Sequence, residues 1–219
     1  MSKKETLYFC LMAFLSGIMI GLAGTASLLS NIYISSLGKI IGAILFSFGI
    51  YVIVVFEMKL FTGMISDIPE LGLKNSWQLA VCFLCNTIGV LFVGLLVSNS
   101  HLSIIGDLGA SIIRGKLSSD TWYLSAFCSS ILCGVLITLS VKSRLFTAKK
   151  GLSATLGVIF PIVVFAFCGF DHSVANNLYL FFLGEFSLKV VAYVLITIIG
   201  NIFGGVLIPV VLKLKNKQD

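Results

Sequence analysis

Apolar positions in this chain neither alternate nor keep to one helical face; they run almost unbroken for about 20 residues at a time. A helix rising 1.5 Å per residue needs a run of about that length to cross the hydrocarbon core of a bilayer. Six runs fit: Leu7–Leu29, Leu37–Lys59, Trp77–Val97, Trp122–Val141, Leu152–Cys168 with a continuation, and Val190–Leu212. The second and fifth are followed, after polar interruptions, by shorter apolar pieces near Thr62–Ile68 and Asn177–Leu183. The longest polar stretch, Ser98 to Asp120, reads as an external loop with a short interfacial helix around Ile105–Arg114. The pattern predicts an all-α integral membrane protein, with residues 1–219 forming a single transmembrane domain.

Composition strengthens this reading. Hydrophobic residues make up 58% of the chain and charged ones 11%, against about 25% charged in soluble domains. A water-soluble fold cannot hide so much apolar surface, so the excess faces lipid. Lys3 and Lys4 before the first run suggest a signal peptide, but such peptides have an apolar core of about 7–15 residues. The longer run here is expected to be retained as a helix. All six cysteines (Cys10, Cys82, Cys85, Cys128, Cys133 and Cys168) lie in apolar runs. They read as small hydrophobes packed between helices, with no disulfide, haem, metal or other cofactor implied.

The net charge of +6 follows topology. With the N terminus in the cytoplasm, ten basic residues fall inside: Lys3, Lys4, Lys74, Lys142, Arg144, Lys149, Lys150, Lys213, Lys215 and Lys217. Four fall outside: Lys39, Arg114, Lys116 and Lys189. That bias obeys the positive-inside rule and places both termini in the cytoplasm, with the chain in the cell (inner) membrane. No basic domain remains to bind nucleic acid; the expected surroundings are lipid.

Three spans followed by three suggest a duplication. Asn86-Thr-Ile-Gly89 in the third span recurs as Asn201-Ile-Phe-Gly204 in the sixth, offset by about 115 residues. The interruption Lys59-Leu60-Phe61-Thr62-Gly63 likewise pairs with Gly169-Phe170-Asp171-His172-Ser173. Halves of about 5–100 and 118–214 with an odd number of spans each would lie in opposite orientations, giving two inverted three-helix repeats with broken second and fifth helices.

Ionisable groups at membrane depth face protein or a water path. Glu57, Lys59, Asp171 and His172 all sit at the two breaks. Irregular backbone there is tolerated only where protein or a cavity satisfies it, so the breaks predict a midplane site. Half-helix N termini would favour an anion. Thr62 adds a hydroxyl, in the pore or as a cap of its half-helix, and His172 a group able to donate a proton near neutral pH or to bridge the broken backbone of its own helix. Lys59 is expected to face a vestibule. Glu57 reads as structural, tying down neighbouring backbone, and Asp171 as a support for its loop. Asp171-His172-Ser173 holds the residue types of a hydrolase triad, but adjacent side chains diverge and cannot relay a proton. The expected function is passage of a small solute, not catalysis.

Leu60-Phe61-Thr62-Gly63 resembles the Leu-Phe-Thr signature of the formate/nitrite transporter family. Gly169-Phe170-Asp171-His172-Ser173-Val174-Ala175-Asn176 resembles its Gly-Phe-Glu/Asp-His-x-x-Ala-Asn loop, and Asn201-Ile-Phe-Gly204-Gly205 its sixth-helix motif. The similarity runs from about Phe14 to Leu212. It implies an aquaporin-like subunit of six helices, a homopentamer with one pore per subunit, and a substrate among small monovalent acids or their anions such as formate, nitrite or hydrosulfide, with or without a proton. It also implies constrictions at Phe46, Ile50, Leu60 and Phe165 around a chamber marked by Thr62 and His172, with Asn176 supporting the loop and Gly63 and Asn201 holding the breaks. Lys59 stands where the family commonly has an acidic residue. The same architecture could serve small neutral solutes instead.

Overall fold

The computed structural model describes residues 1–34, 36–71, 76–146 and 151–215, and among them every regular element is helical. In chain order these are α1 (Lys3–Tyr33), α2 (Gly38–Val55), α3 (Phe61–Ile65), α4 (Ile68–Leu71), α5 (Ser76–Ser98), α6 (Ile105–Leu117), α7 (Trp122–Phe146), α8 (Leu152–Cys168), α9 (Asn176–Leu183) and α10 (Leu188–Lys215). Five of them, α1, α2, α5, α7 and α10, are long and apolar enough to cross a membrane; α8 is apolar but shorter. The helix α1 opens on a reciprocal cap, in which the Ser2 hydroxyl accepts from Glu5 N–H and the Glu5 carboxylate accepts from Ser2 N–H.

Lipid gives helices little hydrophobic reason to associate, so close backbone approach through small residues must hold them together. The pairs α1/α5 and α7/α10 do this in the same way. A Cβ on Gly17 of α1 would lie 2.1 Å from the carbonyl oxygen of Asn86, and one on Gly89 of α5 would lie 2.2 Å from that of Phe14. In the second pair, a Cβ on Gly134 would lie 2.5 Å from the Asn201 oxygen, and one on Gly204 2.0 Å from that of Ile131. No side chain fits at any of the four positions.

The second apolar run does not stay helical to Lys59. The helix α2 ends at Val55, because Glu57 takes a left-handed backbone (φ 54°) and Met58 N–H folds back to Ile53 C=O at 2.9 Å. The end of α8 has the same form: Gly169 is left-handed (φ 72°) and Phe170 N–H bonds Phe165 C=O at 3.1 Å. Glycine takes that conformation freely, whereas glutamate does so at a cost of about 1 kcal/mol.

The helix after the polar loop is longer than expected and less peripheral. It runs to Leu117, buries Ile105, Gly109, Ala110 and Ile113, and packs chiefly on α9, where Gly109 meets the Phe182 ring. The cysteines also divide differently. Cys82 and Cys133 are buried between helices, whereas Cys128 and Cys168 lie on exposed surface because their helix faces turn away from the bundle.

Candidate pore and central chamber

Lys39, Phe46, Ile50 and Ile53 recur along α2 at three-, four- and seven-residue steps, so they share one face of that helix. This face connects two cavities at opposite ends of α2. One, of about 300 Å³, is bordered by Lys39, Phe46, Lys116, Phe165, His172 and Asn176. The other, of about 270 Å³, is bordered by Ile50, Glu57, Lys59, Leu60, Gly63, Asp67 and Lys142. They are named below the Lys116 vestibule and the Lys59 vestibule.

A septum of buried side chains separates them. Phe46, Ile50, Leu60, Thr62, Phe165 and His172 are none of them more than 3% exposed. The Phe46 and Phe165 rings meet edge to face at 5.4 Å, and Phe165 stacks on the His172 imidazole at 5.7 Å. Behind the aromatic pair, Thr62 Oγ1 lies 2.9 Å from His172 Nε2. A threonine after the first break and a histidine in the second, far apart in sequence, form one polar pair in an otherwise apolar wall.

The breaks are held by two asparagines with matching roles. Asn86 Nδ2 donates to Ala13 C=O (2.7 Å) and Lys59 C=O (2.9 Å), and its Oδ1 accepts from Phe61 N–H (2.8 Å). Asn201 Nδ2 donates to Ser130 C=O (2.8 Å) and Asp171 C=O (2.9 Å), and its Oδ1 accepts from Ser173 N–H (2.8 Å). Each amide thus replaces the helical bonds that its break removes, as buried backbone requires.

The imidazole is orientated from both sides. A backbone N–H can only donate, and Ala175 N–H lies 3.0 Å from His172 Nδ1. Nδ1 therefore carries the lone pair and Nε2 the hydrogen, which is directed at the Thr62 oxygen. Asp171 faces away from the septum. Its Oδ1 accepts from Lys116 Nζ (2.5 Å), Tyr193 Oη (2.5 Å) and Asn176 Nδ2 (3.0 Å), and Asn176 Nδ2 also reaches Tyr193 Oη at 2.8 Å. Lys116 adds a bond to Gly169 C=O at 2.9 Å, so one lysine fastens both ends of the Gly169–Asp171 turn.

Thr62 does not cap its half-helix. Leu60 occupies the cap position without a side-chain bond, and the Thr62 hydroxyl is committed to His172. The N–H groups of Thr62 and Gly63 donate to nothing among the described residues. At the second break Ser173, Ala175, Asn176, Asn177 and Leu178 N–H are all bonded, and of residues 173–178 only Val174 N–H donates to nothing among the described residues. From Phe61 and from Ser173 onward, the first break thus leaves two free donors and the second one among the described residues. Glu57 and Lys59 lie outside any helix and border the Lys59 vestibule. Gly63 lies on the same wall, 3.4 Å from Val141 if given a Cβ.

Lys116, Tyr193 and Lys142 were not legible as site residues. Lys116 and Lys142 read in sequence as topology signals at span ends, and Tyr193 as an ordinary aromatic in an apolar run. Only the α6 packing that brings Lys116 over the second break reveals its place.

The sequence profile of the formate/nitrite transporter family matches residues 2–214. The chain belongs to that family. A transporter of Bacillus subtilis, YrhG, described as uncharacterized, is 29% identical over 187 residues, covering 78% of this chain and 68% of its own length. The formate channel FocA of Haemophilus influenzae is 27% identical over 152 residues, covering 64% of this chain and 52% of its own. The chain therefore spans about half of that second relative. Among solved structures, a pentameric formate channel with formate bound superposes with a TM-score of 0.76 at 22% identity, covering 94% of each chain. The likeness shows a shared fold. Several apolar helices and membership of a transporter family make this a multi-pass membrane protein.

Proposed function

We propose that the protein is a membrane channel or transporter for small monovalent anions taken across as their weak acids, with formate, nitrite and hydrosulfide as the candidate class. One observation carries the reading: a single buried polar pair, Thr62 and His172, set in an apolar septum between two vestibules that each bear lysines. A bare anion crossing such a septum loses hydration worth many kcal/mol, whereas a neutral acid loses far less. Lys59 and Lys39, neither of them in an ion pair among the described residues, draw the anion to the septum; Phe46, Ile50, Leu60 and Phe165 exclude charge and bulk; Thr62 and His172 offer hydrogen bonds at the centre. Asn176, Asp171, Asn201, Gly63 and Glu57 hold the breaks. The geometry of Nδ1 favours a neutral His172 that donates a hydrogen bond, since an imidazolium would put N–H against N–H at Ala175. The proton then comes from vestibule water.

The subunit is read as six membrane helices in two inverted halves, aquaporin-like, assembled as a homopentamer with one pore per subunit and with both termini in the cytoplasm. Support comes from the matching Asn86 and Asn201 bonds, the matching ends of α2 and α8, and the pentameric relative. Stopped-flow flux in proteoliposomes tests the function, comparing formate, nitrite, hydrosulfide and acetate with glycerol and water. Weak-acid flux above that of empty liposomes is expected. Glycerol or water flux without acid flux would assign the pore to neutral solutes.

A further inference from the structure

The Lys59 vestibule is lined by four ionisable side chains: Glu57, Lys59, Asp67 and Lys142. Two are committed to each other. Lys142 Nζ, on α7, lies 2.9 Å from Asp67 Oδ1 and 3.5 Å from Glu70 Oε1. The Lys142 side chain is 9% exposed, and a buried ammonium that loses its partner is strongly destabilised, so Asp67 is firmly held. Lys59 differs. It is half-buried in the lining of the same cavity, immediately before the Leu60 constriction, and forms no ion pair among the described residues. Its carbonyl is pinned by Asn86 Nδ2 at 2.9 Å and Cys82 Sγ at 3.4 Å, so its backbone cannot withdraw from the cavity.

Resting on the channel reading above, we propose that Lys142 sequesters Asp67, one of the vestibule's two carboxylates, so that Lys59 stays open as the dock for the substrate anion beside Leu60. Asp67 and Lys59 share one cavity of about 270 Å³; an unclaimed Asp67 would act as an intramolecular competitor, always present at a high effective concentration. Lys142 removes that competitor. The dock takes one negative charge on a small body, because the cavity lining sets two carboxylates, Glu57 and Asp67, against two ammoniums, Lys59 and Lys142, and holds no surplus for a second. Lys142 is thus a positioning residue for a site that it does not itself form.

The half-saturating formate concentration in proteoliposomes tests this. Lys59→Met should raise it about fivefold, a difference that shrinks as salt rises, with maximal flux changing less. Lys59→Arg should restore it. Lys142→Met should also raise it, and adding Asp67→Asn to that variant should bring it back toward wild type, an interaction that lost packing alone would not produce. Should Lys142→Met fail to assemble, Asp67→Asn alone should leave half-saturation at or below the wild-type value. An unchanged value in Lys59→Met, or a raised one in Asp67→Asn, overturns the proposal. A wild-type protein without weak-acid flux would instead overturn the channel reading first.

Discussion

His172 is fixed by two bonds of opposite sense, one accepted at Nδ1 from Ala175 N–H and one donated from Nε2 toward Thr62. Removing the acceptor while keeping the shape should strand a buried N–H, which costs about 1–3 kcal/mol. Thr62→Val is therefore expected to reduce formate flux about tenfold with helix content unchanged, read by stopped-flow and circular dichroism. Wild-type flux in that variant would remove the pair from the pathway. Gly169→Ala isolates a backbone effect, since no heavy atom lies within 4 Å of the added Cβ and only the left-handed conformation resists it. The expected loss is about 1 kcal/mol in a thermal melt in detergent. Thr62 and His172 stood out in the sequence because polar groups are rare at membrane depth. Lys116 did not, because a lysine in a loop shortly before a span is what topology alone supplies.

The two breaks were legible as elements, from polar residues interrupting apolar runs, but the end of α2 fell four residues before the end of the run. The reason is Glu57: a left-handed residue that is not glycine leaves no mark in the pattern, whereas its counterpart Gly169 does. The Asn-x-x-Gly spacing was equally visible, yet that each asparagine satisfies three backbone groups on two other segments is a fact of packing. Asn86→Ala and Asn201→Ala should each strand one N–H at a break and release two carbonyls, one at the break and one on α1 or α7, lowering stability by about 2–4 kcal/mol in the same melt. A loss under about 0.5 kcal/mol, the size of an ordinary surface substitution, would mean that the breaks stand without them.

Across the whole molecule, the septum of Phe46, Ile50, Leu60 and Phe165 divides space into two charged vestibules; the sequence placed Lys59 in one of them, but not the walls of either. Their walls join α2, α7 and α8 with both breaks, segments that only the fold brings together. On the proposed reading, this division makes protonation the condition for passage. For an acid whose pKa lies well below the working range, the neutral fraction rises about tenfold for each pH unit removed. The most direct test is the initial formate flux into proteoliposomes at fixed total formate, measured from pH 7.5 to pH 5.5 and corrected for empty liposomes. Flux that climbs steeply as pH falls, and drops about tenfold in Thr62→Val, is the predicted result. Flux that is flat or rises with pH would mean that the bare anion crosses the septum, and would contradict the account.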